Sequence, residues 1–236
     1  MRVSTRLRLA YVVAATVDTV LAGSPSRVAR RARFVTKPAL MPLLAGSLAT
    51  SPRAFSSPLR TSTLVALGFG WGGDLALLGH GTRSFATGTG SFGVGHGAYI
   101  AGFLRRRNRS VPLRRTPGAR LAVGLLAGAG PVMALAAARQ NRALGPAVAG
   151  YTGLLAGTFA TGNHLDASLP LVARRLTGLG AALFLASDTV LGFRQFLLPL
   201  LFHGEPPTRL DLALERLVMG SYTAAQLLLA EGAGRA

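Results

Sequence analysis

Apolar stretches long enough to cross a lipid bilayer recur along the whole chain, and they constrain its fold more than any other feature. The stretches are about 17–22 residues long and are bounded by clusters of Arg, Pro or Ser, and about 20 apolar residues in an α-helix span the hydrocarbon core of a membrane. We therefore predict an all-α, polytopic transmembrane helical bundle in which residues 1–236 form a single integral membrane domain. The predicted spans lie near 7–23, 34–50, 62–79, 85–104, 119–138, 144–162, 174–193 and 210–230.

The composition agrees with a chain that lies mostly in lipid. Half of the 236 residues are hydrophobic, 14% are charged, and the mean hydropathy is +0.40, whereas a soluble domain has about a quarter of its residues charged. The longest polar stretch, near 105–118, is too short to bury a core of its own. We favour eight spans, and seven would remain if the first lay at the membrane surface. The first span is not typical of a cleavable signal peptide, because it carries Asp18 and lacks a small-residue cleavage site.

The arginines predict an orientation in the membrane rather than a nucleic-acid surface. The formal net charge is +18, but the arginines lie between the apolar stretches. They form neither one basic face nor a stripe interleaved with aromatic residues, so we exclude nucleic-acid binding. With the N-terminus inside, 15 loop arginines lie on the cytoplasmic side and 9 on the other. The positive-inside rule then predicts that both termini are cytoplasmic in a multi-pass protein of the cell membrane. The chain has no Cys, which excludes disulfides and thiolate chemistry.

Ionisable residues inside the apolar stretches are the informative ones, because a charge at the bilayer centre costs at least about 2.5–3.5 kcal/mol. Asp74 follows three glycines in the segment 70–73, and Asp188 lies within the apolar segment 184–191. Either aspartate alone is a structural hydrogen-bond or ion-pair partner or part of a functional site; the two together favour a shared polar site. The full set is Asp18, Lys37, Asp74, His96 and Asp188, of which Asp18 lacks a motif and is interpreted as a helix-packing or interfacial group. We expect the other carboxylates near span ends and solvated: Asp166, Glu205, Asp211, Glu215 and Glu231.

Polar side chains at helical spacing accompany these charges. His96 and Tyr99 are three residues apart and share one helix face, and Tyr222 and Gln226, four residues apart, share another. Each face either lines a polar cavity or joins neighbouring helices by hydrogen bonds. Tyr151 begins an apolar stretch and belongs either to the same cluster or to an aromatic belt at the membrane surface.

Lys37 and the remaining histidines complete the candidate groups. Lys37, which precedes Pro38, would be costly against lipid, so we expect it to face Asp74 or Asp188. The other histidines fall at span ends or in loops without short ligand spacing, so we predict no metal site and no cofactor. They are His80, His164 and His203.

Short motifs follow one another in a fixed order along the chain. They are Thr36-Lys37-Pro38, Gly73-Asp74-Leu75 with Leu77-Leu78, then Phe85, Gly88, Phe92, His96 and Tyr99, then Ser187-Asp188, and finally Tyr222 with Ala225-Gln226. In this order they resemble the YhhN-like family of membrane lysoplasmalogenases over about residues 34–230. Thr223 stands where the family usually has a second tyrosine, and we assign no role to that position.

The resemblance implies hydrolysis of the vinyl ether bond of a lysoplasmalogen to a fatty aldehyde and glycerophosphoethanolamine or glycerophosphocholine. Such a bond is cleaved by protonation of its β-carbon, which creates an oxocarbenium ion that water captures. The step needs a carboxylic acid that keeps its proton near neutral pH, and an apolar environment favours the uncharged form of a carboxyl group. A second, ionised carboxylate stabilises the cation and activates water, as in glycoside hydrolysis. Asp74 and Asp188 are the candidates for this pair, in either order.

Further residues are expected to bind or orient the lysophospholipid and water: Lys37, His96, Tyr99, Tyr151, Tyr222 and Gln226. We expect Lys37, His96, Tyr99 and Tyr222 to converge with the two aspartates on one polar cavity. The alternatives are a transporter or channel in which the same buried groups couple to protons or ions, and a scaffold without chemistry. The sequence shows no paired halves with matching broken helices, which weakens the first alternative, and five buried ionisable groups weaken the second.

Overall fold

A computed structural model describes residues 1–79, 81–205 and 207–236 as an all-helical chain. Within these residues there are eight long helices and no β-sheet. The helices are α1 Val3–Ala22, α2 Arg27–Ala49, α3 Arg60–Ala76, α4 Gly81–Arg105, α5 Pro117–Gln140, α6 Leu144–Gly162, α7 Leu171–Leu201 and α8 Thr208–Ala233.

Each of the eight predicted stretches forms a helix, so the all-α class is confirmed. The first helix packs against α2 and α8 as part of the bundle. Two bounds differ from the prediction by seven residues or more. Helix α2 begins at Arg27 rather than near 34, because the Ser26 hydroxyl accepts a hydrogen bond from the N–H of Val28 at 3.2 Å and caps the helix. Helix α7 continues to Leu201 rather than ending near 193.

Two helices of the described residues, α5 and α7, are long and apolar enough to cross a membrane by length and composition. The prediction of eight such helices is therefore met only in part. The reason lies in the residues of the others: α2 carries a run of arginines, and α6 is rich in glycine and threonine, which lower the hydropathy of a helix without preventing it from packing inside a bundle.

The chain begins and ends at the same end of the bundle, which we call the terminal end. Arg8 near the start of α1 donates to Glu231 in the last turn of α8 at 3.0 Å. The α4–α5 and α6–α7 loops also meet here, where the N–H of Asn108 donates to the carbonyl of His164 at 2.9 Å. The α1–α2 and α5–α6 turns lie at the other end, which we call the opposite end.

A proline inside α2 frees a carbonyl group that accepts a hydrogen bond from another helix. Pro42 has no N–H, so the carbonyl of Pro38 loses its partner within the helix. The indole N–H of Trp71 on α3 donates to this carbonyl at 2.9 Å. Because Trp71 lies one turn before Asp74, the contact fixes α3 against α2 next to Lys37.

A π-helical turn at Phe193–Leu197 interrupts α7 and has a similar cause. Pro199 cannot donate to the carbonyl of Gln195, and the side-chain amide of Gln140 on α5 donates to that carbonyl instead, at 2.9 Å. A π turn changes which side chains share a face of the helix, and such turns are frequent at functional sites. Here it turns Arg194 towards α8.

Helices α7 and α8 make the most extensive contact in the bundle. Glycines on both helices allow this approach, because a Cβ at Gly180 would lie 2.9 Å from the backbone nitrogen of Leu229. A Cβ at Gly232 would lie 2.9 Å from the backbone nitrogen of Thr177. The close packing sets the distance between Asp188 on α7 and Tyr222 on α8.

Candidate active site

Five of the predicted site residues line one cavity of about 220 Å³. They come from five different helices: Lys37, Asp74, Tyr151, Asp188 and Tyr222. The rest of the lining is mostly apolar and includes Phe85 and Phe92 from α4 and Met133 from α5. The cavity therefore combines a few convergent polar groups with a hydrophobic wall, which is the usual composition of a small-molecule site.

The carboxylate of Asp74 joins α3 to α2 and α8. Its Oδ1 lies 3.6 Å from the Nζ of Lys37, and its Oδ2 accepts a hydrogen bond from the Tyr222 hydroxyl at 2.8 Å. The side chains of Lys37 and Asp74 are 8% and 2% exposed, so neither charge is stabilised by bulk water and each depends on the other. Lys37 thus contacts one of the two aspartates expected to face it, and its ammonium stabilises the ionised form of Asp74.

Asp188 has a different environment. Its Oδ2 accepts a hydrogen bond from the Tyr151 hydroxyl. Within the described residues, no Lys, Arg or His forms an ion pair with Asp188, and its Oδ1 has no hydrogen-bond partner. Nothing in these contacts requires Asp188 to be ionised, whereas Asp74 lies against a cation.

A hydrogen-bonded chain runs behind Asp188. The Tyr151 hydroxyl also lies 3.3 Å from the Nε2 of His96, and the Nδ1 of His96 lies 3.0 Å from the hydroxyl of Thr158. A tyrosine hydroxyl has one proton, so if Tyr151 donates to Asp188 it accepts from His96, and in that arrangement Nε2 carries the imidazole proton. Thr158 then donates to Nδ1. The chain orders Tyr151 through His96, and Tyr151 belongs to the polar cluster rather than to an aromatic belt.

Three of the predicted site residues, His96, Tyr99 and Gln226, lie one layer behind the cavity. His96 and Tyr99 were expected to line the cavity, and that expectation is wrong. His96 reaches the cavity only through Tyr151, because Phe184 packs edge-on against its ring with the centroids 4.6 Å apart. The Tyr99 hydroxyl donates to the Oε1 of Gln226 at 2.8 Å and joins α4 to α8. His96, Tyr99 and Gln226 are each 1–2% exposed, so they support the cavity wall.

Two cavity residues, Arg194 and Glu215, were missed by the sequence analysis. Arg194 donates to both Glu215 and Asp211, with its Nε 2.7 Å from Asp211. Glu215 also accepts from Arg33 at 2.8 Å, and Arg33 pairs with the fully buried Asp18 at 3.4 Å. We call these five residues the arginine–carboxylate chain.

Three carboxylates that were expected to be solvated are instead bound by arginines, and the helix-packing interpretation of Asp18 is supported. Glu215, Asp211 and Glu231 are not freely solvated, because each is held by one or two arginines. Asp18 is a helix-packing group, and the Thr36 hydroxyl donates to it at 2.6 Å. A signal for Glu215 was present in the sequence: it precedes Tyr222 by seven residues, a spacing that puts both on one helix face.

The described residues contain no group of three or more His, Asp or Glu side chains that could hold a metal ion. His164 is buried in the loop after α6, and His203 lies in the turn after α7 with a φ of 50°. His80 lies outside the described residues.

These observations define a class of protein: an all-helical bundle whose largely apolar cavity holds two carboxylates, each bound by a tyrosine. The model of the YhhN family matches residues 32–233, and the chain belongs to this family. The resemblance inferred from the ordered motifs is thereby confirmed. The matched region includes every residue of the cavity and begins after α1. No curated protein and no solved structure matches the chain.

Proposed function

We propose that this protein is a multi-pass enzyme of the cell membrane that hydrolyses the vinyl ether bond of lysoplasmalogens. The observation that carries the proposal is the asymmetric pair of carboxyls in one cavity: Asp74 pairs with Lys37, whereas Asp188 has only the Tyr151 hydroxyl as a hydrogen-bond partner among the described residues. Membership of the YhhN family is consistent with such an activity.

Exposed apolar side chains support a membrane location. Val13 and Val20 on α1 are 63% and 57% exposed, and Leu135 on α5 and Leu179 on α7 are 67% and 61% exposed. In water such surfaces would cost free energy, whereas in lipid they are solvated by acyl chains. The five ionisable groups of the arginine–carboxylate chain are paired with one another, which makes their burial tolerable.

The contacts suggest which carboxyl has which role. We assign Asp188 as the general acid, because among the described residues no cation pairs with it and its Oδ1 accepts no hydrogen bond, so that Oδ1 can carry and donate a proton. We assign Asp74 as the ionised partner, because Lys37 and the Tyr222 hydroxyl both stabilise a negative charge on it. Tyr151 and His96 orient Asp188.

The reaction balances with one water molecule. Asp188 transfers its proton to the β-carbon of the vinyl ether, and the π electrons form the new C–H bond, leaving an oxocarbenium ion that the Asp74 carboxylate stabilises. Water adds to the α-carbon and gives up a proton, which restores Asp188. The hydroxyl proton of the resulting hemiacetal moves to the glycerol oxygen as the bond between that oxygen and the α-carbon breaks, which gives a fatty aldehyde and a free glycerol hydroxyl. Positioned acid–base groups of this kind contribute about 10²–10⁴ in rate.

The test is release of fatty aldehyde from a lysoplasmalogen by the purified full chain in D₂O. Transfer of the acid proton to carbon predicts one deuterium at the carbon next to the aldehyde, measured by mass spectrometry after trapping as an oxime. The matched control substrate is the saturated ether analogue, which has no double bond to protonate and should remain intact. If no aldehyde forms, the proposal is wrong, and a transporter that uses the same buried charges would give this result.

A further inference from the structure

A second cavity, of about 430 Å³, lies at the terminal end of the bundle. The start of α1 and the ends of α2 and α8 enclose it above an apolar floor that includes Leu44 and Leu48. None of the active-site residues proposed above lines it. Its charged side chains are four arginines and one carboxylate: Arg2, Arg8, Arg53, Arg235 and Glu231.

The charges of this cavity are unbalanced. Glu231 accepts hydrogen bonds from both Arg8, at 3.0 Å, and Arg235. Its single negative charge is therefore shared between two arginines. Arg2 and Arg53 form no ion pair with any carboxylate of the described residues. Like charges around one concave space repel one another unless an anion lies between them.

The start of α1 adds to this positive character. The helix begins at Val3 without a capping side chain and without an acidic residue in its first turn. Its first N–H groups and the positive end of its dipole are therefore available to an anion. Arginine binds phosphate oxygens through two parallel N–H groups, and several arginines around one concave site select phosphate over weaker acceptors.

We propose that this cavity binds a phosphate group, either the headgroup of an anionic phospholipid or free inorganic phosphate. The site is independent of the hydrolysis proposed above, because it shares no residue with that cavity. It also depends on α1, which precedes the residues matched by the family model. A phosphate bound there joins α1, α2 and α8.

The site is tested by calorimetric titration of the purified full chain in detergent with inorganic phosphate, with dihexanoyl phosphatidic acid, and with dihexanoylglycerol, which has no phosphate. The variants are Arg2→Gln and Arg53→Gln; neither change leaves a carboxylate unpaired. Each should weaken phosphate binding on the order of tenfold, as expected for one charge-assisted hydrogen-bonded group. The matched control is Arg139→Gln, an exposed arginine at the opposite end, which should bind as the wild type does.

A variant that is expected to bind phosphate more tightly distinguishes an effect on binding from an effect on folding. Glu231→Gln removes the carboxylate that competes with the anion, so it should tighten binding, and added salt should weaken binding in every variant that retains the site. Binding of inorganic phosphate supports a soluble anion as the ligand, and binding of phosphatidic acid alone supports a lipid headgroup. Equal binding of dihexanoylglycerol, equal affinity of the Arg2→Gln and Arg53→Gln variants and wild type, or no binding of either phosphate compound would overturn the proposal.

Discussion

The Lys37–Asp74 pair predicts that the two candidate aspartates differ in their effect on stability. Asp74→Asn keeps an acceptor for the Tyr222 hydroxyl but leaves the Lys37 ammonium, 8% exposed, without a counter-ion. Removing one partner of a buried ion pair costs about 3–5 kcal/mol. Asp188→Asn changes only a hydrogen bond from Tyr151, for which about 0.5–1.5 kcal/mol is expected.

The double variant Lys37→Met/Asp74→Asn makes the reasoning testable. It removes the Lys37 ammonium that Asp74→Asn leaves unpaired. Replacing a buried ion pair by uncharged groups changes the free energy of unfolding little, so most of the stability lost in Asp74→Asn should be recovered. The assay is the free energy of unfolding in mixed detergent micelles for wild type, both single variants of the pair, the double variant and Asp188→Asn. Equal losses in Asp74→Asn and Asp188→Asn would refute the reasoning, as would a double variant no more stable than Asp74→Asn.

Three further outcomes are expected. Gly180→Ala should destabilise the protein by a few kcal/mol in the same unfolding assay, because its Cβ would meet the backbone of α8, while Gly153→Ala, with open space around it, should be neutral or slightly stabilising. Tyr151→Phe removes the hydroxyl that orders Asp188 and should slow aldehyde release about tenfold, whereas Tyr99→Phe, behind the cavity, should change it much less. Reporter fusions after Arg109 and at the C-terminus should both report the cytoplasm, and a C-terminal reporter outside the cell would mean that a predicted span does not cross the membrane.

Helix positions were predictable from the sequence because one local property, a long apolar stretch between polar clusters, determines them. The two bounds that differ most from the prediction depend on specific contacts. The start of α2 depends on the Ser26 cap, and the extension of α7 depends on a π turn in which Gln140 satisfies a carbonyl freed by Pro199. The hydropathy pattern of the sequence predicts neither of these hydrogen bonds.

The residue types of the site were also predictable, because a carboxylate inside an apolar stretch is costly to bury and is therefore rare outside functional sites. Lys37 was expected to face one of the two aspartates, but which one was not predictable, because Lys37 and Asp74 are brought together by the packing of α2 on α3, which no spacing along the chain encodes. Glu215 was expected to be solvated near a span end, and its pairing with Arg194 was missed because that pairing also depends on two helices meeting. Asp74 and Asp188 are distinguished only by the groups that contact them, which are Lys37 and Tyr222 for Asp74 and Tyr151 for Asp188.

The last prediction separates an enzyme from a scaffold. Asp188→Asn cannot donate the proton to carbon, so aldehyde release should fall on the order of 10²–10⁴. Loss of the Asp74 carboxylate should have an effect of the same order, and it is best measured in Lys37→Met/Asp74→Asn, where no buried ammonium is left unpaired.

The two aspartates are expected to act in one transition state, so their losses should not add. The variant that lacks both carboxyls should be about as slow as the slower of the two parents, because a pair that works as a unit is already disabled when one member is removed. Aldehyde release is compared at equal amounts of folded protein, so that differences in stability do not enter the rates. Near-normal turnover in Asp188→Asn would remove it from the chemistry and leave it as a contact that joins α7 to α6 through Tyr151.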